Sequence, residues 1–212
     1  MNGMTAEEIQ RLREVAEQLQ DFASRQGDGW KVEISEGKID FVMASPTTPH
    51  GMNVVKLRRQ IEAQSPEVVA LSDTDTEDPV TGLSKAPDLM AVAEADLDPD
   101  SKQVNSRDLL LVVEVVSRSN AENALVTKLS HYPRMGVPVY LVVDARKGEG
   151  TVTVHSDPQA GPGGLIYRSS IPSSFGDTVT AGRWLLETRD LVTCPRRTRR
   201  PRGGGNGRSP AR

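Results

Sequence analysis

At 212 residues, 36% of them hydrophobic and 26% charged, the chain is long enough to bury one ordinary core and too short for two full domains. Its formal charge is -3, yet Arg196, Arg197, Arg199, Arg200, Arg202, Arg208 and Arg212 sit in an acid-free end; without those seven, 19 basic residues face 29 acidic ones, so residues 1–195 carry -10. This acidic body argues against a broad nonspecific surface for polyanions, and the single cysteine, Cys194, excludes an intramolecular disulfide or a thiolate metal cage. No run approaches the roughly 18 apolar residues of a membrane span, and residues 1–30 hold nothing like a signal peptide, so a reducing cytoplasm and no membrane association are expected.

Ile9, Leu12, Val15, Leu19 and Phe22 recur every three or four positions and predict an amphipathic helix over residues 5–24. Thr5 and Glu8 have the spacing of a capping box. After the break at Gly27 and Gly29, residues 30–34 and 38–44 predict a hairpin that turns at Glu36 and Gly37 and ends at Pro46. Val54, Leu57 and Ile61 predict a second helix over residues 51–63. A short strand is expected at residues 68–71. The acidic stretch 72–79, SDTDTEDP, lacks the central glycine and closing glutamate of a calcium loop and reads as a solvated turn.

The run LLLVVEVV at residues 109–116 places seven aliphatic residues around Glu114. A strand that apolar on both faces belongs at the buried centre of a sheet covered by helices on each side. An ionised carboxylate there needs a cation or hydrogen bonds. Upstream, Pro87 and Asp88 open a strand over residues 88–93; downstream, a helix starting at residues 117–120 carries the stripe Ala121, Leu125, Leu129 and Tyr132, with Lys128 at its margin, about 60° from Leu125. Gly136 and Pro138 stop that helix. Strands follow at residues 139–143, ending at Asp144, and at 151–155, 165–168 and 178–180, with a glycine-rich turn at 161–164. From Pro195 onward glycine, proline and arginine dominate, and this tail is expected to be disordered.

Asp88 and Glu114 on neighbouring strands would repel one another, and one would tend to take up a proton. A hard divalent cation resolves that conflict, because Mg²⁺ accepts one or two protein carboxylates and keeps waters. Such an ion can activate water and stabilise a leaving oxygen, while a lysine offsets developing charge. Each residue also has a plainer reading. Asp88 could cap a loop, Glu114 could form a structural ion pair, and Lys128 could lie along the surface with its head in water. His50 reads as a helix-start histidine, His131 and His155 as structural, Tyr132 as packing, and Asp144 as a strand end.

Four segments resemble the PD-(D/E)XK nuclease superfamily, in its Uma-type branch of bacterial restriction endonucleases: VEISEGKIDFVMASPTTPHG at 32–51, PDLMAV at 87–92, LVVEVVSRSN at 111–120 and KLSHYPRMGVPVYLVVD at 128–144. The resemblance spans about residues 5–190. It implies a restriction-endonuclease-like α/β fold, a central mixed sheet flanked by helices, in one domain over 1–195 followed by the Arg/Gly-rich tail 196–212. It also implies a divalent-metal-dependent endonuclease that hydrolyses DNA phosphodiester bonds with Mg²⁺ or Mn²⁺. Asp88 and Glu114 would be metal ligands, with the backbone carbonyl of Val115 as a third. Val116 stands where the pattern's lysine is expected, and Lys128 takes its place from the helix; Glu33 matches an acidic residue beside the metal. A homodimer is an expectation from chemistry alone, since cutting two strands takes two sites.

The chain departs from the branch at Ala124, where an aspartate is common, at Val139, and at Arg118. Ala124 supports an alternative: a catalytically inactive nuclease-fold protein that binds nucleic acid or a protein partner. A nucleotide- or small-molecule-binding reading lacks a glycine-rich phosphate loop after any predicted strand, since residues 161–164 precede one.

Overall fold

The computed structural model describes residues 4–26, 30–43, 47–117, 121–146 and 148–193. Arg118, Pro46, Cys194 and the arginine tail lie outside them. The first helix, α1 (Ala6–Gln26), opens with the expected capping box. The Thr5 N–H donates to Glu8 Oε2 at 2.8 Å and the Glu8 N–H to Thr5 Oγ1 at 3.2 Å, satisfying two donors that a helix start leaves open. The hairpin β1 (Trp30–Ser35) and β2 (Lys38–Met43) turns at Glu36 and Gly37, with φ of 50° and 76°. Positive φ at both central residues gives a turn whose twist matches the flanking strands. It keeps Glu33 on β1 opposite Asp40 on β2.

The next helix, α2 (Thr48–Gln64), starts about one turn earlier than its apolar spacing predicts, because Thr47 caps it and Pro49 occupies its first turn. Strand β3 (Val68–Leu71) matches expectation. The acidic stretch after it is not a solvated turn. It holds β4 (Asp75–Glu77), and Thr76 and Asp78 are fully buried. Asp78 accepts from the Thr81 N–H at 3.0 Å and from the Arg107 Nε–H at 2.8 Å, which supplies the partners a buried carboxylate needs. Then come β5 (Ser84–Lys85), β6 (Leu89–Ala93), β7 (Gln103–Asn105) and β8 (Leu109–Val115). A helix from Ala121 ends in α3 (Lys128–Arg134), followed by β9 (Val139–Asp144), a long hairpin of β10 (Thr151–Gly161) and β11 (Gly164–Ser174), and a closing pair, β12 (Thr178–Ala181) and β13 (Trp184–Glu187).

The main sheet has the order β11-β10-β9-β8-β6-β3. It is mixed: β8 and β9 run parallel, while β6 runs antiparallel to β8 and to β3. Alternate residues of β8 serve opposite faces, as a doubly covered strand requires. Leu111 and Val113 pack with Val54, Leu57 and Ile61 of α2 on one face. Val112 and Val116 pack with Tyr132 and Met135 on the other. A second sheet, β2-β1-β5-β4-β7, adjoins the first because only residues 86–88 separate β5 from β6. The two sheets therefore meet at Ala86, Pro87 and Asp88. Among the described residues, no helix is long and apolar enough to cross a membrane.

Candidate active site

All five side chains and backbone groups singled out from sequence, Asp88, Glu114, Val115, Lys128 and Glu33, converge where the two sheets meet, at the ends of interior strands rather than on a sheet edge. Leu89 pairs with Val113 across β6 and β8, so Asp88, one residue before β6, lies beside Glu114. The Val115 N–H donates to Asp88 Oδ2 at 2.8 Å. Extending the same register sets Val115 opposite Pro87, which has no N–H to offer the Val115 carbonyl. Among the described residues, the hydrogen bonds and ion pairs to the two carboxylates fall on one oxygen of each, Oδ2 of Asp88 and Oε1 of Glu114.

Lys128 is 1% exposed, not marginal. Its ammonium lies 2.6 Å from Glu114 Oε1 and 3.1 Å from Glu33 Oε1, and donates to the Ala86 carbonyl at 2.9 Å. The reason it points inward is a π-turn over Asn123–Thr127, in which the Lys128 N–H bonds the Asn123 carbonyl five residues back. A π-turn inserts one residue into the helical repeat. Periodicity of 100° per residue no longer holds across it, so Leu125 turns outward at 38% exposed while Ala124 and Lys128 turn in. The Ala124 carbonyl accepts from the Tyr140 hydroxyl at 2.8 Å.

Two participants were not legible as such. Lys85, on the two-residue β5, is completely buried; it reaches Glu33 Oε2 at 3.3 Å, the Ile34 carbonyl at 3.2 Å and the Ser35 hydroxyl. A strand of two residues has no periodicity to read, and the only local signal is a lysine set between Leu83 and Ala86. His50, in the first turn of α2, places Nε2 3.0 Å from Asp88 Oδ2. Tyr132 packs in the core as expected, and its hydroxyl also donates to Glu114 Oε1 at 2.9 Å.

These groups form an alternating chain, Lys85, Glu33, Lys128, Glu114, with Asp88 and His50 beside it. Burial pushes the Glu114 carboxyl up to about 7, with Asp88 and Glu33 adding to the rise and Lys128 opposing it. Burial also opposes the charged form of Lys128, but Glu114, Glu33 and Asp88 outweigh it and hold the ammonium above its ordinary range. Glu33, likewise penalised by burial, is held below the usual carboxylate range by Lys128 and Lys85. Burial lowers Lys85, and Lys128 adds to that against the pull of Glu33. For His50, burial is outweighed by Asp88, which raises it; Asp88 is lowered by His50 against its own burial.

Three carboxylates thus share two lysines. Among the described residues no three His, Cys, Asp or Glu side chains form a metal-ligating group. Asp88 and Glu114 nonetheless supply two hard oxygen donors from neighbouring strands, which suits an ion that accepts one or two protein carboxylates and completes its shell with water.

Among the described residues, no hydrogen bond or ion pair links His131 or His155 to this cluster. His155 Nδ1 lies 2.6 Å from the Ser170 hydroxyl. His131 has Nε2 3.5 Å from Glu36 Oε1, while its Nδ1 is buried without a partner among the described residues. Burial, then Lys85 and Arg134, push this histidine down to about 4 against Glu36, so the Glu36 contact is one to a neutral ring. The unfolded chain therefore binds a proton below about 6.5 that the folded chain refuses until about 4. Stability should fall as pH drops through that window, by up to about 3 kcal/mol, and His131→Gln should flatten the fall. Urea unfolding at pH 7.5 and pH 5 reads the difference; equal losses in both proteins would contradict it.

Comparison with known proteins places this geometry in context. The family model Uma2, described as "Putative restriction endonuclease", matches residues 16–188. Among solved structures, the crystal structure of a putative nuclease belonging to DUF820 from Anabaena variabilis superposes with a TM-score of 0.58 at 16% identity, over 76% of this chain and 89% of that one. At that identity the likeness is one of fold. No curated protein matches the chain.

Proposed function

Because the chain belongs to the Uma2 family of putative restriction endonucleases, we propose that it is a divalent-metal-dependent endonuclease that hydrolyses DNA phosphodiester bonds at Asp88, Glu114, Lys128 and Glu33. The observation that carries this reading is the pairing of Asp88 and Glu114 at the ends of adjacent interior strands, with the Lys128 ammonium 2.6 Å from Glu114. A carboxylate pair in a largely dry frame is costly unless cations offset it; Lys128, shared with Glu33, lies against Glu114 and His50 against Asp88, which leaves a divalent ion to bridge the pair itself.

Asp88 and Glu114 would hold Mg²⁺ or Mn²⁺, with the Val115 carbonyl as a third donor on the side of β8 that faces Asp88. When bound, such an ion supplies Lewis acidity and a more acidic bound water. The remaining work falls to the chain's own residues. Lys128, held between Glu114 and Glu33, keeps a fixed positive charge beside the carboxylate pair and can orient an attacking water or balance charge on the phosphate. Tyr132 and Lys128 both donate to Glu114 Oε1, which sets the rotation of that carboxylate. Glu33 is positioned by Lys85 and by the Ala86 N–H at 3.3 Å, so it is held where it also contacts Lys128 at 3.1 Å.

Incubation of supercoiled plasmid and of labelled oligonucleotides with the protein in Mg²⁺, Mn²⁺, Ca²⁺ or EDTA tests the reading. Cuts are expected with Mg²⁺ or Mn²⁺ and none in EDTA. DNA binding with no cleavage under any ion would favour the inactive nucleic-acid-binding alternative, and cleavage that persists in EDTA would remove the metal from the reaction.

A further inference from the structure

The substrate phosphates proposed above must approach a body of net charge -10 over residues 1–195, and the two lysines of the site cannot receive them, since Lys85 and Lys128 are buried. A polyanion needs an accessible cation near the place where it is cut. The second sheet carries one at Lys31.

Alternation along β1 sets Lys31 and Glu33 on the same face. Ile34 pairs with Ser84 across antiparallel β1 and β5, which puts Glu33 beside Lys85, its ion-pair partner. A step from Glu33 to Lys31 therefore runs in the same direction as the chain from Lys85 through Ala86 and Pro87 to Asp88. Lys31 lies roughly 7 Å beyond Glu33 along the strand, on the side toward Asp88. The charges here share one field. Burial raises the Asp75 carboxyl on β4; Lys31 opposes that rise, Glu33 adds to it and Lys128 opposes it again, so both lysines act on one carboxyl.

Lys31 differs from Lys85 and Lys128 in its partner. Its ammonium lies 3.5 Å from Asp73 Oδ1, and the two side chains are 21% and 89% exposed. Lys31 is thus partly covered, while Asp73 stands in water. Such a pair contributes little to stability and is readily exchanged. Asp73, in the loop between β3 and β4, also has a φ of 59°, a region that few residues other than glycine, asparagine and aspartate enter. Backbone held in this way at some cost is a feature of functional loops. Here it presents an exposed carboxylate to a lysine on the approach to the site. A carboxylate and a phosphodiester carry the same single negative charge and accept from the same donor.

We propose that Lys31 receives a backbone phosphate of the substrate beside the Asp88–Glu114 site, and that Asp73 occupies the place of that phosphate in the free protein. The inference rests on the nuclease reading and deepens it. Binding then exchanges one anion for another at Lys31. Asp73 acts as an internal competitor, which keeps the ammonium paired until a phosphate arrives and weakens the hold on any polyanion that cannot displace it.

The test follows the anisotropy of a fluorescein-labelled 30-base-pair duplex in EDTA from 50 to 300 mM NaCl, and cleavage of the same duplex in Mg²⁺. Lys31→Gln is expected to bind at least fivefold more weakly at 50 mM, with a salt slope shallower by about 0.9, the change for one phosphate contact. In cleavage it should raise KM and leave kcat nearly unchanged. Lys31→Arg should bind as the wild type does. Asp73→Asn, which keeps a residue that tolerates positive φ, should bind at least threefold more tightly. The double variant separates exchange at Lys31 from a general effect of charge. Asp73→Asn is expected to bring no gain once Lys31 is changed; an equal gain in both backgrounds overturns the inference. A folded Lys31→Gln protein with wild-type affinity and slope overturns it as well, and leaves the nuclease reading standing. Lys31→Met replaces it in the cycle should the glutamine variant unfold. A wild type that binds the duplex and never cuts it removes the nuclease reading and the inference with it, and one that binds no DNA even at 50 mM does the same.

Discussion

Lys128→Met should destabilise the folded protein by about 3–5 kcal/mol, the penalty typical of removing one partner from a buried ion pair. Lys128 faces two buried carboxylates at once, Glu114 at 2.6 Å and Glu33 at 3.1 Å, as well as the Ala86 carbonyl. Methionine matches the length of the stem and fills the space, so the loss would not come from a cavity. It would come from leaving Glu114 and Glu33 in the core with Lys85 as their remaining lysine, at 3.3 Å from Glu33 alone. Part of the loss should return below pH 5, where the two carboxylates can be neutral. Denaturant unfolding of the two proteins at pH 8 and pH 5 measures it. A change under 1 kcal/mol at pH 8 would mean that the lysine does not sit between the two carboxylates.

Glu114→Gln should lower metal-dependent cleavage by about 10³-fold while leaving the fold within about 1.5 kcal/mol of the wild type. The amide is nearly the same shape, and its oxygen can still accept from the Lys128 ammonium and the Tyr132 hydroxyl, so the hydrogen bonds around it survive. What disappears is the negative charge. A metal ion that contributes several kcal/mol of charge stabilisation corresponds to a thousandfold or more in rate at 1.36 kcal/mol per decade. Calorimetric titration with Mn²⁺ should show the matching loss of affinity in the folded variant. Unchanged cleavage by a folded Glu114→Gln protein would take the carboxylate out of the reaction, and Asp88→Asn would then show whether the other one acts by itself.

The two substitutions separate because the buried charges are not equivalent. Lys128 pairs directly with Glu114 and Glu33 and acts through space on Asp88, three carboxylates in all, so its removal is felt first by the fold. Glu114 is one of those three, pushed up to about 7 by its burial, so its neutral replacement relieves the interior and is felt first by the chemistry.

The residue pattern alone was enough to identify the centre of the main sheet. Seven aliphatic residues around Glu114 have one economical home, a strand covered on both faces, and β8 lies between β6 and β9 with α2 on one side and α3 on the other. Local rules also sufficed for the Thr5–Glu8 cap and the Glu36–Gly37 turn, since each depends on atoms within a few residues of one another. Asp88, Glu114 and Lys128 were legible as a set from their places on neighbouring strands and the following helix, and the family resemblance added a role for each.

Tertiary structure decided the rest. Helical periodicity put Lys128 at the margin of its stripe, and a π-turn, which no spacing of apolar residues announces, rotated it into the core. Lys85 entered the site from a strand too short to have a pattern, and His50 entered from a helix that starts a turn early because of its cap. The side-chain bonds from Gln64, Gln60 and Asn53 that tie the chain after β12 to α2 join residues more than 120 positions apart. A segment's own burial is written in its alternation of apolar and polar residues. Which charges share one buried volume depends on contacts between segments, whose energies no single segment carries.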